Sequence, residues 1–354
     1  MAKILMKGNE AIAESAVRAG GLLYFGYPIT PQSEIAEYLA HRMPEVGGVF
    51  LQIESEVAVA NVLYGAAGAG ARVWTSSSSP GISLMMEAVS YIAAAELPCV
   101  IVNIVRCGPG LGGILPSQGD YFQAVKGGGH GDYRCLVLAP CSVQEAVDLM
   151  PLAFDRADRY RNPVIVIGDG MIGQMMEPVE FTEQQFPPLP PKDWATTGCQ
   201  GRKPNVINSL YLDPVEEEKL NFKLAAKYEQ MKKNEVRYEK FRTDRELECL
   251  LVAYGTTARV CKTAIQRLDD EGIPTGLLRP ITLFPFPEEA IYELSQRARF
   301  LLSVEMSTGQ MVEDVRLAVG RSKPVYFYGR AGGMVPSPEE VVDAVKRYLA
   351  GGDR

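Results

Sequence analysis

The sequence predicts an α/β protein made of two parallel-sheet modules. Residues 1–180 alternate short Val/Ile-rich runs with helical patterns, and residues 247–350 return to the same alternation. The runs lack the polar–apolar alternation of half-exposed strands, so they read as strands buried on both faces of a parallel sheet. The chain has 354 residues, 47% hydrophobic and 22% charged, which is ordinary for a globular protein of about two domains.

Taken in order, strands are expected near Ile4–Met6, Leu22–Phe25, Val49–Ile53, Arg72–Ser76, Pro98–Val105, Cys135–Ala139 and Pro163–Ile167. Helices are expected near Glu10–Arg18, Pro31–His41, Glu56–Gly68, Ile82–Ala95 and Val143–Tyr160. Phe186-Pro-Pro-Leu-Pro-Pro-Lys192 is a semi-rigid extended spacer, and Pro214–Lys240 is a charged helical stretch that reads as a solvated surface helix. The second module carries strands at Glu248–Tyr254, Thr275–Arg279, Arg299–Val304 and Pro324–Tyr328. Its helices are Thr257–Glu271, Pro287–Arg297, Met311–Val319 and Pro338–Leu349, the last opened by Ser337 as N-cap with Pro338 behind it. The expected division is 1–182, a connector over 183–245, and 246–354.

A net charge of −7 and a pI near 5.2 argue against nucleic acid or an anionic membrane as partner. No run reaches the length of a membrane span and no signal-peptide pattern opens the chain, so a cytoplasmic protein is expected. The seven cysteines (99, 107, 135, 141, 199, 249 and 261) include no CxxC pair, and His41 and His130 are the only histidines. No metal or cluster site is therefore expected on this chain, and its chemistry must rest on carboxylates or an organic cofactor.

Several stretches are candidates for that chemistry. Ile53–Gly70 reads as a helix of small and apolar residues with Ser55 as N-cap and Glu56 first inside it. Glycine there costs about 1 kcal/mol relative to alanine, which suggests a close approach by a helix or flat ligand. Glu56 reads either as a capping carboxylate or, if buried, as an acid able to share a proton with a ligand. Trp74-Thr-Ser-Ser-Ser-Ser-Pro-Gly81 puts hydroxyls at a strand's carboxyl end, where ligands of such sheets bind. Gly26-Tyr-Pro-Ile-Thr-Pro-Gln-Ser-Glu34 is stiffened by two prolines that fix Thr30 above a strand end. Arg106 ends a strand and is either paired with a protein carboxylate or reserved for an anionic substrate. Gly108-Pro-Gly-Leu-Gly-Gly113 matches GxGxxG but no helix opens after it, so it reads as a glycine loop over a site rather than a dinucleotide fingerprint. Gly127-Gly-Gly-His-Gly131 reads as a second such loop, and Gly168-Asp-Gly170 as a strand-end turn.

Together, Tyr27-Pro-Ile-Thr-Pro-Gln-Ser33, Glu54-Ser-Glu56, Ser77-Ser-Ser-Pro-Gly-Ile-Ser-Leu-Met-Met-Glu87, Arg106 and Gln118-Gly-Asp120 make the chain resemble the alpha subunit of the 2-oxoacid:ferredoxin oxidoreductases. Val252-Ala-Tyr-Gly-Thr-Thr and Val304-Glu-Met-Ser-Thr-Gly-Gln310 extend the resemblance over nearly the whole chain, and the connector looks like the branched-chain members. The resemblance implies a pyrimidine-binding domain for thiamine diphosphate followed by a transketolase C-terminal-like α/β domain. It implies oxidative decarboxylation of a 2-oxoacid with coenzyme A, branched-chain first, with 2-oxoglutarate, pyruvate or a non-catalytic scaffold as alternatives. It implies a beta subunit holding Mg²⁺ and an iron–sulfur cluster, a gamma subunit, a ferredoxin-like delta subunit with [4Fe-4S] clusters, and ferredoxin as acceptor. By the same resemblance Glu56 bonds the thiamine pyrimidine, Pro28, Ile29, Ser78, Pro80 and Gly81 line the cofactor, and Thr30 and Arg106 meet the substrate carboxylate.

Overall fold

The computed structural model describes residues 3–352. The chain opens with β1 (Ile4–Lys7), α1 (Gly8–Arg18), β2 (Leu23–Gly26), α2 (Ser33–Glu45), β3 (Val49–Gln52) and α3 (Glu56–Gly68). It continues through β4 (Val73–Ser77), α4 (Ser79–Ala94), β5 (Cys99–Val105), α5 (Tyr121–Val125), β6 (Leu136–Leu138), α6 (Val143–Tyr160), β7 (Pro163–Asp169), α7 (Gly170–Gln174) and β8 (Met176–Val179). After the proline-rich stretch come α8 (Pro214–Asn234), β9 (Tyr238–Phe241), β10 (Leu247–Val252), α9 (Gly255–Asp270), β11 (Thr275–Pro280) and β12 (Thr282–Phe284). The chain ends with α10 (Glu288–Ser295), β13 (Ala298–Glu305), α11 (Met311–Val319), β14 (Val325–Gly329) and α12 (Pro338–Leu349).

Two large sheets result. The first has the order β12-β6-β7-β5-β4-β2-β3 and is parallel except for β12, which runs antiparallel to β6. The second has the order β14-β13-β10-β11-β9, parallel except for the edge strand β9. Two expectations are corrected here. The strand at Ile4 joins neither sheet; it pairs with β8 in a separate antiparallel ribbon. Helix α4 begins at Ser79, three residues before Ile82, so Pro80 and Gly81 belong to its first turn.

Strand β5 explains why the pattern reads as continuously apolar. Cys99, Ile101 and Val105 face the layer of α3 and α4, while Val100, Val102 and Ile104 face the layer of α1, α2 and α6. Each buried aliphatic side chain contributes about 1.5–3 kcal/mol relative to exposure. Asn103 alone breaks the first face. On the second face the Trp74 indole packs edge-on to Tyr24 and Phe154, and its N–H donates to Gly21 O at 2.9 Å. The charged helix α8 is mostly exposed and buries only Leu224, Tyr228 and Met231.

The two sheets share one hydrophobic layer, which runs from Val59 and Leu63 to Leu250 and Leu301. Gln118 fastens the junction. Its backbone N–H donates to Met306 O at 2.8 Å, and Met306 N–H donates back to its side-chain oxygen at 2.8 Å. Its amide nitrogen donates to Tyr254 O at 2.9 Å. Gln310 accepts from Phe122 N–H and donates to Gly119 O, while Asp314 accepts from Tyr121 O–H and pairs with Lys126. Asp169 caps α7 through Met171 and Ile172 N–H and also accepts from Thr256 N–H at the start of α9.

A buried donor or acceptor left unpaired costs about 1–3 kcal/mol. Gln118→Ala strands Met306 N–H, whereas Tyr254 O keeps the Thr257 hydroxyl as donor, so it is expected to destabilise the chain by about 1–3 kcal/mol, read as a lowered midpoint in chemical denaturation.

Candidate active site

The carboxyl ends of β5, β4, β2 and β3 stand side by side in the first sheet, and each sequence-predicted residue sits in a segment that leaves one of them. Thr30 follows β2, Glu56 follows β3, Ser77–Gly81 span the end of β4 and the start of α4, and Arg106 follows β5. The turn after β2 is braced rather than loose. Asn9 and Gln174 both donate to Pro31 O, Gln32 N–H donates to Ile29 O, and Ser76 O–H donates to the Gln32 side chain at 2.6 Å. Pro28 and Thr30 remain exposed and Ile29 half-buried. Helix α2 starts at Ser33, not at Pro31.

Ser55 is extended and its hydroxyl accepts from Ala58 N–H at 3.3 Å, so the N-cap role falls to Ser55 and leaves Glu56 free of it. Glu56 is 5% exposed, and no group among the described residues donates a hydrogen bond to its carboxylate. Its neighbour is Gly81. A Cβ added to Gly81 would sit 2.5 Å from Glu56 Oε1 and would run into Ser77 Oγ. Glycine at 81 is thus what lets the first turn of α4 close over both groups. The hydroxyls of Ser77 and Ser78 are buried without a partner, and Ser78 caps no backbone N–H although it stands at the N-cap of α4.

Arg106 takes a role the sequence did not present. No carboxylate among the described residues pairs with it. Its guanidinium donates to Thr30 O at 3.0 Å and Leu111 O at 3.2 Å, tying the turn after β2 to the glycine loop, while its Nε is buried and unpartnered. Its backbone is held by Ser79, whose hydroxyl accepts from Arg106 N–H at 3.1 Å and donates to Arg106 O at 3.2 Å. The glycine loop is closed on itself: Cys107 N–H donates to Leu115 O, Gly113 N–H donates to Cys107 O, and Arg106 bridges Pro116. No helix opens from it.

Asn103 and Asp120 escaped the sequence reading as site residues. Asn103 stands opposite Ser77 in the β4–β5 register, on the face covered by α4. Its amide nitrogen donates to Asp120 Oδ2 at 2.9 Å, and its oxygen is buried without a partner. Burial pushes the Asp120 carboxyl above its ordinary range, and hydrogen bonds from Asn103 and Ser79 offset this only in part. A polar residue in the otherwise apolar run Cys99–Val105 was the available signal.

The loop Gly127–Gly131 does not cover the site. A Cβ on Gly128 would strike the Met86 sulfur and one on Gly129 the Met86 carbonyl, so these glycines let the segment press against α4. Asp169, in the Gly168-Asp-Gly170 turn, is spent on the caps already described. Among the described residues no group of three His, Cys, Asp or Glu side chains could hold a metal ion, and no helix is long and apolar enough to cross a membrane.

A buried carboxyl without a hydrogen-bond donor, two orphaned hydroxyls and a glycine opening at sheet carboxyl ends define an α/β domain shaped for an organic cofactor. Residues 14–240 match the model of the pyruvate flavodoxin/ferredoxin oxidoreductase thiamine diphosphate-binding domain, and residues 248–341 match core domain II of pyruvate:ferredoxin oxidoreductase. The chain belongs to this family of thiamine-dependent oxidoreductases. It is 50% identical to the ketoisovalerate oxidoreductase subunit VorB of Methanothermobacter thermautotrophicus over 99% of both chains. It is 39% identical to the 2-oxoglutarate synthase subunit KorA of Archaeoglobus fulgidus, over 98% of this chain and 99% of that one. It superposes with a TM-score of 0.88 on the 2-oxoglutarate:ferredoxin oxidoreductase of Magnetococcus marinus, solved with 2-oxoglutarate, coenzyme A and succinyl-CoA bound. That match is 26% identical and covers 98% of this chain and 65% of the other.

Two glycines separate the site from its surroundings. Overpacking costs about 1–3 kcal/mol, so Gly81→Ala is expected to lower chain stability by that amount. Gly65 of α3 has no atom within 4 Å of an added Cβ, so Gly65→Ala is expected to stabilise the isolated chain by about 0.5–1 kcal/mol. Denaturation of the two variants side by side tests the contrast.

Proposed function

We propose that this chain is the catalytic alpha subunit of a 2-oxoacid:ferredoxin oxidoreductase that converts 3-methyl-2-oxobutanoate, with coenzyme A, to an acyl-CoA and CO₂. The carrying observation is Glu56, buried at the start of α3 with no hydrogen-bond donor and facing Gly81 and the orphaned Ser77 hydroxyl. The substrate choice is supported by the relative named for ketoisovalerate, at 50% identity against 39% for the 2-oxoglutarate synthase subunit.

Thiamine diphosphate, when bound, supplies the nucleophilic carbon and the electron sink for decarboxylation. Glu56 would hold a proton against the pyrimidine ring nitrogen. Ser78, Pro80 and Gly81, from the start of α4, and Pro28 and Ile29, from the turn after β2, would line the ring. Arg106 and Thr30 would bind the substrate carboxylate; a guanidinium bound only to carbonyl oxygens keeps its full charge for an anion. Residues 1–182 would carry the site and 246–354 would position its loops, with 183–245 as connector.

The complex would be cytoplasmic. A beta subunit would supply the Mg²⁺–diphosphate half of the site and an iron–sulfur cluster, beside gamma and ferredoxin-like delta subunits that pass electrons to ferredoxin. A scaffold subunit with a lapsed site is disfavoured because the carboxyl at position 56 is present and buried.

In the assembled complex, Glu56→Gln is expected to slow exchange of the thiamine C2 proton by about 10²–10⁴-fold, followed by proton NMR; exchange at the wild-type rate would remove the assigned role. Arg106→Ala is expected to raise the 2-oxoacid KM at least about tenfold while thiamine affinity stays within about threefold. An unchanged KM in viologen-reduction assays would take Arg106 out of substrate binding.

A further inference from the structure

Beside Thr30 a cleft of about 610 Å³ opens between the turn before α2, the end of the glycine loop and α7. Its walls are apolar: Pro31, Ile114, Leu115, Met171 and Met175. Ile114, Leu115 and Met171 are 59%, 54% and 39% exposed, an unusual display of large apolar side chains at one place. The three wall segments are fixed to one another. An added Cβ on Gly170 would be 3.5 Å from both Pro31 and Pro116, Gln174 donates to Pro31 O, and Leu115 packs over Gly333 of the second half.

One charged group stands in the cleft wall. Glu34 accepts from Asn9 at 2.8 Å and Gln174 at 2.9 Å and pairs with Lys7 at 3.4 Å. Burial opposes its charge, but its own backbone N–H, Asn9, Gln174 and Lys7 outweigh burial and hold the carboxyl below its ordinary value. No Lys or Arg lines the cleft. The cleft thus favours hydrocarbon and disfavours an anion.

We infer that this cleft receives the aliphatic side chain of the 2-oxoacid, and that Glu34 bars a second carboxylate from it. The inference rests on the reading of Thr30 and Arg106 as the carboxylate anchors. Thr30 belongs to both: its carbonyl holds Arg106, and its side of the turn forms the cleft rim. A short branched acid held there has the cleft as the apolar surface within reach of its other end. A dicarboxylic acid held in the same way would bring its far carboxylate against the Glu34 carboxylate, whose one paired cation, Lys7, lies outside the cleft lining.

The test uses the complete complex with its native partner subunits and follows viologen reduction with coenzyme A on 3-methyl-2-oxobutanoate and on 2-oxoglutarate. Glu34→Gln removes the charge and keeps the shape; the ratio of kcat/KM for 2-oxoglutarate to that for the branched acid is expected to rise about tenfold. Met171→Lys, at an exposed position, is expected to raise the same ratio further. Ile114→Trp, also exposed, fills the cleft and is expected to raise KM for the branched acid about tenfold with KM for coenzyme A unchanged. Unaltered ratios in Glu34→Gln and Met171→Lys would overturn the inference. So would an Ile114→Trp effect on coenzyme A alone, which would assign the cleft to the thiol carrier. Activity on no 2-oxoacid in the wild-type complex would instead overturn the functional reading and the inference with it.

Discussion

Gln118 exchanges hydrogen bonds with Met306 through its backbone and its side chain, and the placement of Arg106 and Thr30, the proposed substrate anchors, depends on that double attachment. Gln118 stands two residues after Pro116, where the glycine loop returns to Arg106. Fixing this point fixes one end of the loop whose Leu111 carbonyl receives the Arg106 guanidinium. Arg106 in turn reaches Thr30, so a contact in the second half of the chain constrains a turn that follows β2. The second α/β module is therefore a structural determinant of the site although none of the proposed cofactor or substrate residues belongs to it. Burial makes this coupling strong, because bonds shielded from water are not exchanged for solvent when the loop moves.

The cluster around Glu56, proposed to meet the cofactor, depends on a different constraint. Here the decisive feature is the absence of a side chain at Gly81, which lets α4 start against Glu56 and Ser77. The resulting group is polar and only partly satisfied: Ser77, Ser78 and Asn103 each bury an atom without a partner. Unpaired buried polar atoms are costly in a finished core, and a stretch of sheet end that retains several is arranged for something beyond its own stability. Asp120 extends the group outwards through Asn103 and Ser79, so two carboxyls flank the same strand ends.

Much of this was legible in the residues. Helix α3 has the expected bounds because Ser55 caps it and its glycines and alanines tolerate the backbone of a core helix. The central parallel strands of both sheets were visible as apolar runs because both their faces are covered. What escaped depends on distant partners. Strand β12 is three residues long and exists through its pairing with β6, some 140 residues earlier in the chain. Strand β9 is amphiphilic and gains its place only at the edge beside β11. Arg106 was read as facing a carboxylate or a substrate; bonding to two carbonyl oxygens is invisible in sequence, because every residue offers a carbonyl. The glycines at 128 and 129 suggested mobility, but what they serve is close contact with Met86. A glycine run has the same spelling in both cases.

Strand β12 also imposes an order of events during synthesis. The first sheet cannot be completed when its own six parallel strands have left the ribosome, because the seventh is encoded after β11. Until residue 284 emerges, β6 presents an open hydrogen-bonding edge, the feature that invites mispairing with other chains. At about 5–20 residues per second the intervening chain from Leu138 to Phe284 takes on the order of 7–29 s to appear. During that interval the nascent protein must be kept from pairing through β6, so its yield in a cell would depend on elongation rate and chaperone supply as much as on final stability.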